Sequence, residues 1–169
     1  MTRLVSETPA HADAVERVLD RAFGPGRHAK TSERVRERGA RFEPALSRVA
    51  LEEDGAVVGC CRIWSVSIGS EACFFLGPLA VDPAHQHVGQ GANLVQASLS
   101  ACQAAGGGAV VLVGALPFFA PLGFSQVPDH QIALPGPVDP RRLLWRALRP
   151  GGLDNLAGEV SAPRAASPA

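Results

Sequence analysis

Residues 76–105 constrain the fold of this chain more than any other part of its sequence. The stretch opens on an apolar run with the length of a buried strand, and Asp82 with Pro83 ends that run, because proline has no N–H for a sheet ladder. A polar loop containing Gly89 and Gly91 follows. Small and apolar residues then recur at steps of three and four, which predicts a helix. These residues are Val88, Ala92, Val95, Leu99 and Cys102.

A second strand is predicted directly after this helix. Residues 106–108 are three glycines, which stop a helix, and residues 109–113 form the β-branched run of a buried parallel strand. Strand, helix and strand in this order predict a right-handed crossover. Within the first strand, Gly77 and Pro78 predict a bulge, since proline cannot occupy the interior of a ladder.

The predicted helix start suits a phosphate or pyrophosphate. Its first N–H groups have no intrahelical partner, the helix dipole adds partial positive charge, and glycines let an anion approach the backbone. The loop has neither the Lys-Ser/Thr ending of a Walker loop nor a complete GxGxxG pattern, because Leu94 follows Gly89 and Gly91 at the third glycine position. A glycine-tolerant helix start that binds nothing is the alternative.

Residues 86–91, Gln-His-Val-Gly-Gln-Gly, resemble the acyl-coenzyme A signature of the GNAT N-acetyltransferase superfamily. The preceding PLAVDP strand and the downstream PFFAPLGF segment, residues 117–124, extend the resemblance over roughly residues 49–127. It implies an α/β (α+β) fold: a mixed, mostly antiparallel sheet with helices on both faces and splayed central parallel strands. Residues 148–160 resemble the C-terminal extension of a bacterial subgroup. We expect one domain over residues 1–160 and a flexible tail over 161–169.

The resemblance also implies a coenzyme site and a chemistry. Acetyl-CoA would be the co-substrate, its pantetheine arm would lie as an added strand beside residues 79–81, and an amine would attack the thioester. The implied coenzyme-binding residues are Leu79, Ala80, Val81, Gln86, His87, Val88, Gly89, Gln90, Gly91, Ala92, Asn93 and Phe118. Glu71, on the strand entering the slot, is the candidate general base.

Two departures from the family pattern bear on activity. Phe119 stands where the family often has a tyrosine acid, and the chain contains no tyrosine, so the usual proton donor is missing. Water, Cys102 or His130 are the substitutes left open. The loop also lacks Arg and Lys, so backbone N–H groups would do most of the phosphate binding.

Two functions therefore remain after the sequence is considered. The first is an N-acetyltransferase acting on a primary amine of a small molecule or a protein. The second is a catalytically weak acyl-CoA-binding sensor or interaction module.

The rest of the chain supplies the other elements. We predict a first strand over residues 3–7, a helix from Thr8 and Pro9 to Phe23, a second helix over 31–39, and a hairpin over 49–68 turning at Asp54 and Gly55. A short helix over 117–122 and strands from Phe124 and over 131–134 follow. Residues 141–148 have amphipathic spacing, and an exposed apolar stretch with Trp145 favours a homodimer.

Charge and cysteine content restrict the partners. Residues 16–48 have a charge balance of +4, whereas residues 51–140 have −6, so the predicted acceptor cleft would be acidic and favour a cationic amine over a nucleic acid.

The four cysteines form no C-x-x-C pair, and we expect buried, reduced thiols. No apolar run could span a bilayer, Arg3 is followed by no signal-peptide core, and His85 with His87 would be too few ligands for a metal. A cytoplasmic protein without a metal is expected.

Overall fold

The computed structural model describes residues 1–86 and 89–164 of the chain. Its strands are β1 (Arg3–Ser6), β2 (Arg41–Phe42), β3 (Arg48–Leu51), β4 (Val57–Ile68), β5 (Glu71–Val81), β6 (Ala109–Val113), β7 (Ser125–Gln126), β8 (Ile132–Ala133), β9 (Leu143–Ala147) and β10 (Gly158–Ser161). Its α-helices are α1 (Ala12–Phe23), α2 (Thr31–Glu37), α3 (Gln90–Ala104) and α4 (Leu116–Phe119).

The sheet is mostly antiparallel, as predicted. Its main path runs β1-β3-β4-β5-β6-β9-β7. The long strand β4 pairs with β5 along one edge and with β3, β2 and β10 in succession along the other. The described parallel pairs are β5 with β6 and β8 with β10. The fold class implied by the sequence is confirmed.

The predicted bulge lies in the middle of the β4–β5 hairpin. Leu76 pairs with Ile63 and Leu79 pairs with Cys61, so Gly77 and Pro78 together face a single residue of β4. A bulge removes the need for a ladder N–H at this point, which is the group that proline lacks.

The two central parallel strands separate soon after they meet. β5 and β6 pair only at Phe74 with Val110 and at Phe75 with Val111 among the described residues. Beyond Phe75, the backbone groups of β5 that point away from β4 have no strand partner there. The predicted splay therefore leaves a slot between the second half of β5 and the end of β6.

Helices cover both faces of the sheet. The apolar side of α1, including Val15, Val18 and Leu19, packs on Val49 and Cys60. On the other face, α3 packs against β4, β5 and β6. The α3 residues in this core are Leu94, Val95, Leu99 and Cys102. The sheet is therefore covered by α1 on one face and by α3 on the other.

Residues 143–147 differ from the sequence expectation. Their spacing suits an amphipathic segment with an exposed apolar side, but they form β9, a strand hydrogen-bonded between β6 and β7. Leu143, Leu144 and Trp145 are all buried, and Trp145 is only 8% exposed. The prediction that Trp145 lies on an exposed apolar surface is wrong, because this segment pairs with the edge of β6 and Trp145 is buried within the sheet. That surface therefore gives no support to a homodimer.

The last described residues return to the long strand. Val160 and Ser161 in β10 pair with the end of β4, and the N–H of Arg164 donates to Oγ of Ser67 (3.0 Å). The predicted tail begins within this segment, and its residues 165–169 lie outside the described residues.

Candidate active site

A cleft of about 490 Å³ opens where β5 and β6 separate. Its floor is formed by the bulge of β5 and the end of β6. The floor residues are Leu76, Gly77, Pro78, Leu79, Leu112 and Val113. α2 with the turn before it forms one wall, and residues 137–139 with Arg142 form another. The slot and the cleft are therefore continuous, with an apolar floor and polar walls.

The start of α3 is built for close approach to its backbone. Gly89 caps the helix with a φ of +85°, a conformation that favours glycine, and no side chain caps this end. Gln90 is only 5% exposed, and neither its amide nitrogen nor its amide oxygen has a hydrogen-bond partner among the described residues. The first N–H groups of a helix have no intrahelical partner, so this end of α3 suits an anionic ligand.

The loop before this helix is fixed by Asp82, which is only 6% exposed. Its Oδ1 accepts the N–H of Ala84 (3.0 Å), and Arg21 donates to its Oδ2 (2.8 Å). The backbone hydrogen bond from Ala84, then the contacts with Arg21, hold the pKa of Asp82 below its ordinary value. Gln86 extends back to the carbonyl of Val81 (3.5 Å). Asp82 therefore sets the direction in which the chain leaves β5.

Most of the predicted coenzyme residues lie around this helix start and slot. Leu79 and Val81 are half-buried on the α3 side of β5, whereas Ala80 is buried toward α1. In the first turn of α3, Ala92 packs on the core and the N–H of Asn93 donates to Gly89 (2.9 Å). His87 and Val88 lie outside the described residues.

Phe118 connects α4 to the glycine loop. A Cβ added at Gly91 would lie 3.4 Å from Cζ of Phe118, so the ring stands directly beside this glycine. The Phe118 side chain is 42% exposed. The structure thus places Phe118 next to the predicted phosphate loop, where a larger residue at position 91 would meet it.

Phe119 closes the inner end of the cleft. It is 7% exposed, lines the cleft, and makes edge contacts with Phe118 (4.8 Å between centroids) and Phe124 (5.5 Å). Its ring lies against Gly114, where a Cβ would come within 2.5 Å of it. The position expected for an acid therefore holds an aromatic ring without a proton to give.

The two side chains suggested as substitutes for the missing acid lie elsewhere. Cys102 is fully buried in the core under α3, and burial raises the pKa of its thiol to about 12. His130 lines a different, smaller cleft beside β8. Neither is among the residues that line the main cleft.

Glu71 is also distant from the slot. It is the first residue of β5, opposite Ile68 and exposed. Leu76, where the slot begins, is five residues farther along the strand, or roughly 16 Å at the rise of a β-strand. The assignment of Glu71 as base stays a prediction that this distance disfavours.

The charge of the cleft is opposite to the sequence expectation. Four basic side chains and two acidic ones line it. They are Arg27, Lys30, Arg36 and Arg142, with Glu33 and Asp139. The prediction of an acidic cleft is wrong, because the basic segment before β2 folds over the opening of the slot. The positive balance of residues 16–48 is the sequence signal that pointed to these residues, but it did not show where they would lie.

An ion-pair network with buried Glu7 at one end and half-exposed Glu16 in its middle joins the sheet to this wall. Arg62 on β4 donates to Glu7 (2.7 Å from Nη2) and Glu16 (2.9 Å), and Arg27 donates to the other oxygen of Glu16 (2.6 Å). Burial opposes the charge on Arg62, but its contacts with Glu7 and Glu16 outweigh burial and raise its pKa. Burial likewise opposes the charge on Glu16, yet Arg27 and Arg62 lower its pKa. The network thereby fixes Arg27 at the cleft.

The described residues hold neither a cluster of metal ligands nor a helix that could span a membrane. Nowhere within residues 1–86 and 89–164 do three His, Cys, Asp or Glu side chains come together in a way that could hold a metal ion. The helices in the same ranges include none with the length and apolar character needed to cross a membrane.

Solved structures of similar fold come from several bacteria. The GNAT family N-acetyltransferase YhbS from Escherichia coli, in complex with CoA, is 24% identical, with 95% of this chain and 89% of that chain covered and a TM-score of 0.81. A GNAT family acetyltransferase from Brucella melitensis, in complex with acetyl-CoA, is 28% identical, with 85% and 94% covered and a TM-score of 0.60. The ribosomal-protein-S18-alanine N-acetyltransferase from Escherichia coli is 17% identical, with 88% and 94% covered and a TM-score of 0.62.

No curated protein sequence matches the chain. The model of the acetyltransferase (GNAT) family, however, matches residues 12–124. That match includes α1, the bulged strand β5, the glycine loop with α3, and the Gly-Phe pair after α4, and it covers more than half of the chain. The chain therefore belongs to the GNAT acetyltransferase family.

Proposed function

We propose that this protein transfers the acetyl group of acetyl-CoA to a primary amine. The observation that carries the proposal is the continuity of three features: an uncapped glycine helix start, a slot where β5 leaves β6, and a polar cleft beyond it. The Brucella melitensis and Escherichia coli structures that contain acetyl-CoA or CoA support the same co-substrate.

The residues around α3 fit the phosphate end of this co-substrate. The backbone N–H groups of residues 89–91 would bind the pyrophosphate at this uncapped helix start. Phe118 would pack beside the pantetheine arm. The backbone groups of Leu79 and Val81, which have no partner on β6, would hydrogen-bond that arm as an added strand.

The reaction requires few groups from the protein. The amine nitrogen forms a bond to the thioester carbon, the carbon–sulfur bond breaks, the amine gives up a proton, and the thiolate takes one. A thiol with a pKa of about 8.5 leaves readily near neutral pH, and proton transfer by a side chain contributes only about 10²–10⁴-fold. Water can therefore protonate the thiolate, and the main contribution of the cleft is orientation.

The phosphate site is tested by the substitution Gly89→Asp. The carboxylate would repel the pyrophosphate, and at a few ångströms this repulsion should weaken acetyl-CoA binding by at least about ten-fold. Gly89→Asn is the control at the same position, because it has the same shape and imposes the same backbone strain without the charge. Gly55→Asp is the control at a distance, because Gly55 also has a φ of +85° and open space around it.

Binding is measured by calorimetry, and activity by thiol release from acetyl-CoA across a panel of amines. Equal affinity for acetyl-CoA in wild type, Gly89→Asp and Gly89→Asn would refute the phosphate site. Tight binding of acetyl-CoA without release of thiol on any amine would refute the enzyme and favour a coenzyme-binding module.

A further inference from the structure

Arg36 presents a free edge of its guanidinium to the cleft. Its side chain is 10% exposed, and Nη2 donates to Glu33 on the same helix. Nη1 lies 3.8 Å from the position that a Cβ on Gly77 would occupy, at the bulge where the slot opens. No hydrogen bond of Nη1 or Nε is found within the described residues. Glu33 is one anionic partner, and the remaining donors of this guanidinium stay available to another.

Arg27 repeats this arrangement from the turn before α2. Nε donates to Asp20 (3.1 Å) and Nη2 donates to Glu16 (2.6 Å), while the side chain is 12% exposed and lines the cleft. These two carboxylates hold the guanidinium in place from outside the cleft. Nη1 has no hydrogen bond in the part of the chain that the structure describes. The two arginines are thus fixed on one edge, and each keeps donors on the other.

Two more cations stand at the exposed rim of the cleft. Lys30 lies over the ring of Phe23 (4.3 Å), and Arg142 is on the other wall. Neither has an ion pair within residues 1–86 and 89–164. The carboxylates of the lining are already engaged, Glu33 by Arg36 and Asp139 by Arg141. The cleft therefore has surplus positive charge and unused donors.

We propose that the acceptor amine carries an anionic group, a carboxylate or a phosphate, which Arg36 and Arg27 bind. The inference rests on the proposed acetyl transfer. A guanidinium with two donors on one side matches the geometry of carboxylate and phosphate oxygens. Because Arg36 lies at the bulge beside the slot, the anionic group is held a short distance from the reacting nitrogen. This geometry favours a small amino acid or phosphorylated amine over a polyamine.

The test compares amines that differ only in one anionic group. The protein amino acids are each measured beside their carboxamides, and phosphoethanolamine is measured beside ethanolamine. Acetyl transfer gives kcat and KM, and calorimetry on the CoA-saturated protein gives amine binding without turnover. At least one anionic member should be preferred by about ten-fold or more, which is the size expected for a charge-assisted hydrogen bond.

Variants then assign the preference to named residues. Arg36→Gln should reduce it by about ten-fold through KM and leave the affinity for acetyl-CoA within about two-fold. Because Arg36 also packs near Trp64, the exposed double variant Lys30→Gln/Arg142→Gln provides a second test that does not disturb the core, and a smaller loss of the same preference is expected. Arg17→Gln, an exposed arginine of α1 outside the lining, should leave the preference unchanged.

The possible results separate the inference from the function on which it rests. Acetylation of neutral and anionic amines with equal kcat/KM, or equal binding of both, would overturn the inference and leave acetyl transfer standing. A loss of acetyl-CoA affinity in Arg36→Gln as large as the loss of preference would also overturn it, because the cations would then serve the coenzyme phosphates. If no amine is acetylated, the binding assay still tests the inference. Tighter binding of an anionic amine than of its neutral partner to the CoA complex would support it, and equal binding would overturn it.

Discussion

Replacement of Arg62 by methionine should destabilise the fold strongly. Three contacts join its guanidinium to the carboxylate of Glu7: Nε to both oxygens (3.2 and 3.1 Å) and Nη2 to Oε1 (2.7 Å). The Glu7 side chain is 2% exposed and that of Arg62 is 13% exposed. Methionine keeps an apolar stem of similar length but leaves the buried carboxylate without a countercharge.

The size of the effect follows from this burial. Removal of one partner from a buried ion pair costs about 3–5 kcal/mol of unfolding free energy, because the remaining charge is uncompensated. For a chain of this length the melting temperature should fall by roughly 6–20 °C. The double variant Glu7→Leu/Arg62→Met removes both charges, and it should be much less destabilised than the sum of the two single variants.

Urea unfolding followed by circular dichroism measures all four corners of this double-mutant cycle. Arg17→Met, at an exposed position of α1, is the control and should stay within about 0.5 kcal/mol of wild type. A loss below about 1 kcal/mol in Arg62→Met, or a double variant whose loss equals the sum of its singles, would refute the reasoning. Because Glu16 connects Arg62 to Arg27, Arg62→Met should also raise KM for an anionic acceptor.

Four further expectations concern the aromatic wall, the thiols and pH. Phe119→Tyr should bind acetyl-CoA as wild type does and raise turnover most with poorly activated amines, since the phenol would supply the missing proton donor; an unchanged rate and pH profile would mean that the ring only packs. Gly114→Ala should destabilise the protein by about 1–3 kcal/mol in urea unfolding, because its Cβ would come within 2.5 Å of Phe119. Burial raises the thiol pKa of all four cysteines to about 12, so a thiol-specific reagent at neutral pH should label none of them in the folded protein and all four in urea: Cys60, Cys61, Cys73 and Cys102. Since the pKa of Glu16 is lower in the folded state, its contribution to stability is present above the ordinary carboxyl pKa of 4.5 and lost as the pH falls through the folded value; the difference in melting temperature between wild type and Glu16→Gln should shrink on acidification.

The sequence alone determined the elements whose causes are local. Proline and glycine impose backbone conformations on their own residues, so the bulge at Gly77 and Pro78 and the helix start at Gly89 could be predicted from the sequence. Hydrophobic spacing predicted the crossover through α3 for the same reason, because the period of a pattern is a property of neighbouring residues. The position of Phe119 in the wall also followed from the family pattern.

Only the tertiary structure decided which distant segments share a surface. α2 and the residues around Pro137 are about a hundred positions apart, yet they form adjoining walls of one cleft, and Oγ1 of Thr31 donates to the carbonyl of Pro137. The cleft is basic because Arg27, Lys30 and Arg36 from this distant segment line it, so counting charges along residues 51–140 gave the wrong sign.

The sequence also could not show that residues 143–147 form a strand. Their amphipathic spacing did not indicate a strand, and they form one because the edge of β6 gains hydrogen bonds along its length when β9 pairs with it. Glu71 illustrates the same limit: its strand was predicted, but its distance from the slot depends on where along that strand β6 stops pairing. Local chemistry fixes conformation residue by residue, whereas the composition of a site depends on contacts between segments far apart in the chain.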